Sequence, residues 1–249
     1  MFIVLYGIVA YLHSEFTVHT SVFETLEANS ILTQPTLLRN MGYSGQQAQL
    51  MSVPPYVLGA IVCITTATLS DRLRKRGLFL MGLAVAIFVG FTLNHFVTNV
   101  AVCYFGIFLA VSGGFAASPL LLSWSVDNNS GPAVKAIAAA TVISIGGYVN
   151  NASLHRYPLT SALANFFPVN YRFGQLLSTW TYRDKEKPRY PTGHSINMAC
   201  AVVLFASAAF HSWWAIRENK KREAVPYPDH DIDESQGLGH DHPLFRFTP

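Results

Sequence analysis

Apolar residues in this chain come in long runs broken by short polar knots, and one stretch sets the pattern for the rest. Tyr56–Leu69 is apolar, Ser70-Asp71-Arg72-Leu73-Arg74-Lys75-Arg76-Gly77 follows, and Leu78–Leu93 is apolar again. From Gly77 to Val126, about fifty residues, there is no Asp, Glu, Lys or Arg. A water-soluble domain cannot keep such a length free of charge without exposing an adhesive surface. A bilayer asks for about 20 apolar residues per helical crossing. The pattern therefore predicts two membrane helices joined by a basic turn at 72–76. That turn is expected on the cytoplasmic side, where Lys and Arg need not be translocated.

The remaining runs extend this pattern in both directions. Phe2–Leu12 would make only about 16 Å of helix, too short to cross alone. Ser30–Leu38 resumes the apolar character after His13–Asn29, which carries Glu15, Glu24 and Glu27. The first crossing, within 2–38, is thus interrupted. Met41–Gly45 reads as a turn and Gln46–Ser52 as the beginning of a helix, with Pro54-Pro55 near its start, where missing amide donors cost least. Further crossings are expected at 49–70, 78–96 and 100–126. The last of these holds Gly113-Gly114, small enough for close helix approach, and Pro119, which predicts a kink. A fifth crossing, 133–182, is broken by the polar and aromatic insert Asn151–Phe173. Asp184–Ser195 reads as a Pro-rich loop. A clean final crossing, 196–216, ends in Trp213-Trp214 at the level of an interfacial aromatic belt. The chain is thus expected to be an all-α membrane protein with about six transmembrane helices over 1–216. A polar tail, 217–249, opens with the basic cluster Arg217–Glu223 and is expected to be disordered and cytoplasmic.

Composition agrees with this reading. The 249 residues are 51% hydrophobic and 12% charged, against about 25% charged in an average soluble domain, and mean hydropathy is +0.29. The formal charge of +3 is small and sits in the loops. No basic stripe interleaved with aromatics points to nucleic acid. Four crossings after Arg72–Arg76 bring Arg217–Arg222 back to the same side, while the loop holding Arg183, Lys185, Lys187 and Arg189 falls outside, against the rule. Met1–Leu12 lacks a basic leader and small-residue cleavage site, and reads as the start of a span. Cys63, Cys103 and Cys200 lie far apart inside apolar runs and fit no metal or redox spacing.

Three sets of residues carry a resemblance. They are Gly42-Tyr43-Ser44 with Ala48-Gln49-Leu50 and Val53-Pro54-Pro55-Tyr56, the Ser70–Gly77 turn, and Pro188-Arg189-Tyr190-Pro191-Thr192-Gly193-His194. Together they resemble the major facilitator superfamily, and more narrowly its fungal allantoate permease-like branch of anion:cation symporters. The match covers the carboxyl-terminal half of a twelve-helix bundle. The resemblance implies secondary transport of a small organic anion, carboxylate or vitamin, by alternating access, with no enzymatic step and no cofactor. It also implies that the loop residues Asp71, Arg72, Arg74, Lys75 and Arg76 act as a conformational latch. The chain departs from the family's loop pattern at Ala67 and Arg74, where that pattern has glycine. A solvated turn that only sets topology is the simpler account of the same residues.

Against this family pattern the inserts 14–29 and 151–173 look like additions, as translated introns or another gene-model error would produce. The chain is then expected to be a truncated or mis-assembled permease, inactive alone. Its expected partners are the bilayer, a small organic anion, and an amino-terminal half or a second copy. The membrane is the plasma membrane or an endomembrane. The competing account is a non-transporting protein that acts through helix association. A membrane enzyme is disfavoured because no nucleophile–base or metal-ligand pattern lies in the spans.

Substrate would be held near the midplane, between the halves. The substrate-lining candidates are Gln34, Tyr56, Asn94, Trp124 and Asn150, each of which could equally make an interhelical hydrogen bond or anchor an interface. No charged residue lies deep in an expected span. His230, His240 and His242 with Asp229, Asp231 and Asp233 imitate a metal cluster, but on a solvated tail without a rigid frame. Of the glycosylation sequons at Asn128 and Asn151, only Asn151 is expected to face outward.

Overall fold

The computed structural model describes residues 37–39, 42–129, 132, 134–139, 186, 190–224 and 245–249. The first and fifth expected crossings fall largely outside them, as do Gln34, Asn150, Asn151 and the histidines of the tail. Four long helices are described: α1 (Gly45–Leu73), α2 (Arg76–Phe96), α3 (Val100–Asp127) and α4 (Pro191–Glu223). No strand occurs among the described residues.

All four helices are long and apolar enough to cross a membrane. At 1.5 Å per residue, the 21 residues of α2 span about 31 Å, the thickness of a hydrocarbon core. Large apolar side chains cover their outer faces, among them Ile61 and Ile64 on α1 and Val202 and Phe205 on α4. Water would penalise such a surface, whereas lipid does not. The hydroxyls on α1 suit the same environment. Thr65, Thr66 and Thr68 donate to the carbonyls of Ile61, Val62 and Ile64, one turn back, at 2.9, 2.6 and 2.9 Å. None of these three hydroxyls is left bare toward hydrocarbon.

Local chemistry sets the helix limits. Ser44 caps α1 through a reciprocal pair: its hydroxyl accepts from the Gln47 N–H, and its own N–H donates to the Gln47 side chain, satisfying two of the free donors at a helix start. The helix therefore begins at Gly45, and Pro54 and Pro55 lie in its interior rather than near its start. It ends at Arg74, whose φ of 50° is left-handed. That conformation is one glycine adopts without strain, and Arg74 stands where the family loop pattern has glycine. Asn99 caps α3 by accepting from the Ala101 N–H at 3.0 Å. Proline at the first position lets α4 start at Pro191, five residues ahead of the expected span, since proline there sacrifices no bonded amide. Glu186 adds an acceptor for the Thr192 N–H at 3.1 Å.

In packing order the helices run α1, α3, α2, α4. α3 lies against both α1 and α2, α2 also lies against α4, and α1 and α2 touch only sparsely. The two helices joined by the basic turn are thus not a packed hairpin, because α3 stands between them. Leu80, Leu83, Ala84, Ile87 and Phe91 form a buried stripe on α2 at helical spacing, meeting Ala110, Ala117, Leu121 and Trp124 of α3 and Ala201, Leu204 and Ala208 of α4. Glycine brings α2 and α3 close. A Cβ on Gly90 would stand 2.6 Å from the Gly106 carbonyl oxygen, and one on Gly113 would stand 2.6 Å from Ile87 Cγ1. Gly114, its neighbour in sequence, is buried too, but among the described residues a Cβ there would meet nothing within 4 Å.

The interior prolines leave carbonyls without their helical donors. Pro55 cannot donate to the carbonyl of Met51, and the Tyr104 hydroxyl reaches across from α3 to donate to that oxygen at 2.9 Å. This cross-helix bond stabilises the α1–α3 contact and satisfies a group that lipid would leave bare. Tyr104→Phe is expected to cost about 1 kcal/mol, measured by reversible unfolding in detergent. The same change beside a Pro55→Ala helix should cost much less, because an alanine N–H would restore the donor.

Two expectations about the tail change. α4 continues to Glu223, seven residues past the expected end of the span at 216, with Lys220, Lys221 and Arg222 in its last turn, where cations suit the helix dipole. Phe245–Pro249 is not a free coil but packs against the bundle, with Phe247 only 4% exposed. Composition registers the polarity of 225–244. It does not register two phenylalanines placed to reach an aromatic surface.

Candidate functional site

One end of the bundle collects most of the described charges. α1 ends there, α2 begins there, and α3 and α4 end there. Both basic clusters, Arg72–Arg76 and Arg217–Arg222, are therefore at the same end. The opposite end carries the link Val97–Asn99 without Lys or Arg.

At the charged end Arg76 bridges two helices. Its Nη2 lies 2.8 Å from Asp71 Oδ1 on α1 and 2.7 Å from Asp127 Oδ2 on α3. The Arg76 side chain is 12% exposed, Asp71 62% and Asp127 39%. The Asp127 arm is thus the more shielded, and shielding from water and salt raises the worth of a pair. A fork of donors makes arginine suited to holding two carboxylates together. Around this bridge is a polar cavity of about 340 Å³ lined by Ser70, Asp71, Arg74, Arg76, Asp127, Lys135 and Thr248. What the arrangement can do is tie α1, α2 and α3 at one end through a pair that separates when the helices move apart.

The five expected latch residues divide. Asp71 and Arg76 meet directly. Arg74 lines the cavity, and Arg72 and Lys75 are exposed at the turn. Asp127 completes the bridge and was not among the candidates. Its signal was available, since it is the first charged residue after the charge-free run and falls at the end of a span on the side of the basic turn.

The described substrate-lining candidates do not converge. Tyr56 stacks edge-on against Phe115 of α3 with ring centroids 5.4 Å apart, and lies roughly 22 Å along α1 from Asp71. Asn94 donates to the carbonyl of Gly90 in its own helix at 2.9 Å, roughly 27 Å along α2 from Arg76. Trp124 is 1% exposed, meets His211 edge-on with ring centroids 4.7 Å apart, and donates from Nε1 to the Thr248 carbonyl at 2.8 Å. Tyr56 and Asn94 therefore lie toward the opposite end and Trp124 at the charged one. Each makes the packing or hydrogen-bonding contact that competes with a substrate role. Asn128, half of a sequon, is buried with its amide engaged by Thr248. No cluster that could hold a metal occurs among the described residues.

No protein-family model and no solved structure matches the chain. Its curated relatives are transporters. It is 28% identical over 226 residues to the MFS-type transporter cnsO of Penicillium expansum, covering 87% of this chain and 39% of that protein. It is 28% identical over 208 residues to the high-affinity nicotinic acid transporter of Saccharomyces cerevisiae, covering 82% of this chain and 33% of the relative. With the MFS-type transporter efuF of Hormonema carpetanum the identity is 31% over 194 residues, 77% of this chain and 34% of the relative. The chain thus spans only between a third and two fifths of the length of these relatives. These relatives are transporters and not enzymes. The chain is an all-α, multi-pass integral membrane protein whose sequence is similar to that of fungal MFS-type transporters.

Proposed function

We propose that these helices form one side of the translocation pathway of a secondary transporter for small organic anions, carboxylates or vitamins, working by alternating access. In this reading the chain corresponds to the carboxyl-terminal half of a twelve-helix bundle in the allantoate permease-like branch, with both basic clusters facing the cytoplasm. The observation that carries it is similarity to transporters over most of this chain but a minor part of theirs. A relative named for nicotinic acid, a small aromatic carboxylate, supports the anion class. The Asp71–Arg76–Asp127 bridge then serves as the latch of the closed cytoplasmic face.

The described helices offer an organic anion no buried cation near their centres. A carboxylate would meet helix dipoles and amides here, and a cation from the complementary half. Alternating access needs two halves rocking about a central site. Vesicles holding only these 249 residues should therefore take up no labelled nicotinate above empty vesicles. Co-reconstitution with the complementary half of a relative, as a separate polypeptide, should restore uptake. Uptake by this polypeptide as a single monomer would overturn the half-bundle reading, and failure with every complementary half would overturn the transport reading.

A further inference from the structure

At the charged end the segment Phe245–Pro249 is held in a way unlike an ordinary packed tail. Two asparagine side chains bracket its backbone. Asn219 of α4 accepts from the Phe247 N–H at 2.9 Å and donates to the Phe247 carbonyl at 2.7 Å. Asn128, at the end of α3, accepts from the Thr248 N–H at 2.7 Å and donates to the Thr248 carbonyl at 3.2 Å. Trp124 Nε1 gives that carbonyl a second donor at 2.8 Å. The Gly77 N–H, at the start of α2, donates to the Pro249 carbonyl at 3.3 Å, and Arg222 donates to the Phe245 carbonyl at 3.3 Å. The Phe247 ring fills a slot between Trp214, with centroids 5.0 Å apart, and the Arg222 guanidinium, 4.8 Å from the ring centroid.

This pattern is that of a peptide-recognition site. Amide side chains pair with both polar groups of successive residues, as an added strand would, and one aromatic pocket fixes the register. Arg246, the second residue of the segment, is exposed. We propose that the ends of α2, α3 and α4 form a peptide-binding cleft whose resident ligand is Phe245–Pro249, an exchangeable strap tying the three helices together at the charged end. The proposal does not depend on the transport reading.

Few bonds and one aromatic anchor make a weak site for a free peptide, because ordering an extended chain opposes binding. Belonging to the same chain offsets this, because intramolecular attachment raises the effective concentration of the segment. The strap is therefore seated most of the time and still displaceable. Seating it fixes Gly77, beside Arg76, against Asn128, beside Asp127. The strap and the ion bridge thus hold the same pair of helix ends.

Trypsin provides the test, because the Arg246–Phe247 bond can enter a protease only when Phe247 leaves its slot. The full chain in lipid nanodiscs is digested briefly, and cleavage there is compared by mass spectrometry with cleavage at the exposed turn Arg72–Arg76. In the unaltered chain the Arg246 cut should lag the turn at least ten-fold. Asn219→Ala and Phe247→Ala should each remove that lag, while Asn219→Asp, which keeps the acceptor for the Phe247 N–H, should remove only part of it. An acetylated peptide Phe-Ala-Phe-Thr-Pro at mM concentration, itself resistant to trypsin, should speed the Arg246 cut in the unaltered chain, and a scrambled peptide should not. Equal cutting at both sites in the unaltered chain would overturn the docked strap. Protection that no peptide can relieve would overturn the exchangeable site.

Discussion

Gly90→Ala is expected to destabilise the bundle by about 2–3 kcal/mol, and Gly90→Leu to prevent its assembly. A Cβ at this position would lie 2.6 Å from the Gly106 carbonyl oxygen, 2.8 Å from the Ala110 nitrogen and 3.1 Å from Ala110 Cβ. Two of those atoms are backbone and cannot rotate aside. Relief requires α2 and α3 to separate, which loosens the stripe from Leu83 to Phe91 against α3. Dispersion falls steeply with distance, so a small gap spread over many contacts is costly. Gly82 and Gly114 are the controls, since among the described residues a Cβ on either meets nothing within 4 Å. Alanine at those positions should be neutral or slightly stabilising, because it is the better helix former. Unfolding in mixed micelles, followed by far-ultraviolet circular dichroism, gives all four values. Equal losses at Gly90 and Gly114 would show that the α2–α3 crossing is placed wrongly.

Arg76→Ala should cost about 1–2 kcal/mol at low salt, and less as salt rises, because the exposed Asp71 arm is screened first. The two arms should be unequal. Asp71 is 62% exposed and Asp127 39%, so Asp127→Asn should be felt more than Asp71→Asn. Arg76→Glu should exceed Arg76→Ala by setting a third carboxylate beside the other two. The exchange Arg76→Glu with Asp127→Arg should recover much of that loss. A double-mutant cycle separates this coupling from side effects of each change. Independent losses for Arg76 and Asp127 would remove the bridge as an element that joins α2 to α3.

The sequence displayed some of these features openly and hid others, for physical reasons. Where lipid contact and charge exclusion dominate, the apolar runs sufficed. The stretches 78–96 and 100–126 lie within a residue or two of α2 and α3, because a charge-free helix between polar ends has little freedom in where it stops. The turn at Arg74-Lys75 was equally legible from its four cations and one carboxylate. The start of α4 was not, since Pro191 and Gly193 read as loop chemistry although proline is well placed at a helix's first position. The order of packing was hidden too. A basic turn reads as a hairpin, and only the close approach of Gly90 to Gly106 shows that α2 prefers α3 to α1. Gly113-Gly114 drew attention as a pair, yet only Gly113 makes the contact, because adjacent residues face about 100° apart on a helix. In the site, Asp71 and Arg76 were readable as neighbours of one turn. Asp127 and Thr248 were not, because their partners lie fifty residues or more away in sequence and only the fold brings them together. A polar composition likewise concealed Phe245–Pro249, whose docking depends on side chains of Asn128 and Asn219 that carry no signature alone.

The most direct test asks which side of the membrane each end occupies. With Cys63, Cys103 and Cys200 replaced, single cysteines are placed at Lys75 and Lys220 at the charged end and at Thr98 at the other, all of them exposed positions. Sealed right-side-out vesicles are then treated with a membrane-impermeant maleimide, before and after permeabilisation. The bundle described here predicts that Lys75→Cys and Lys220→Cys react together from one side and Thr98→Cys from the other. Reaction of Lys75→Cys and Lys220→Cys from opposite sides, or of all three without a membrane-bound protein, would contradict it.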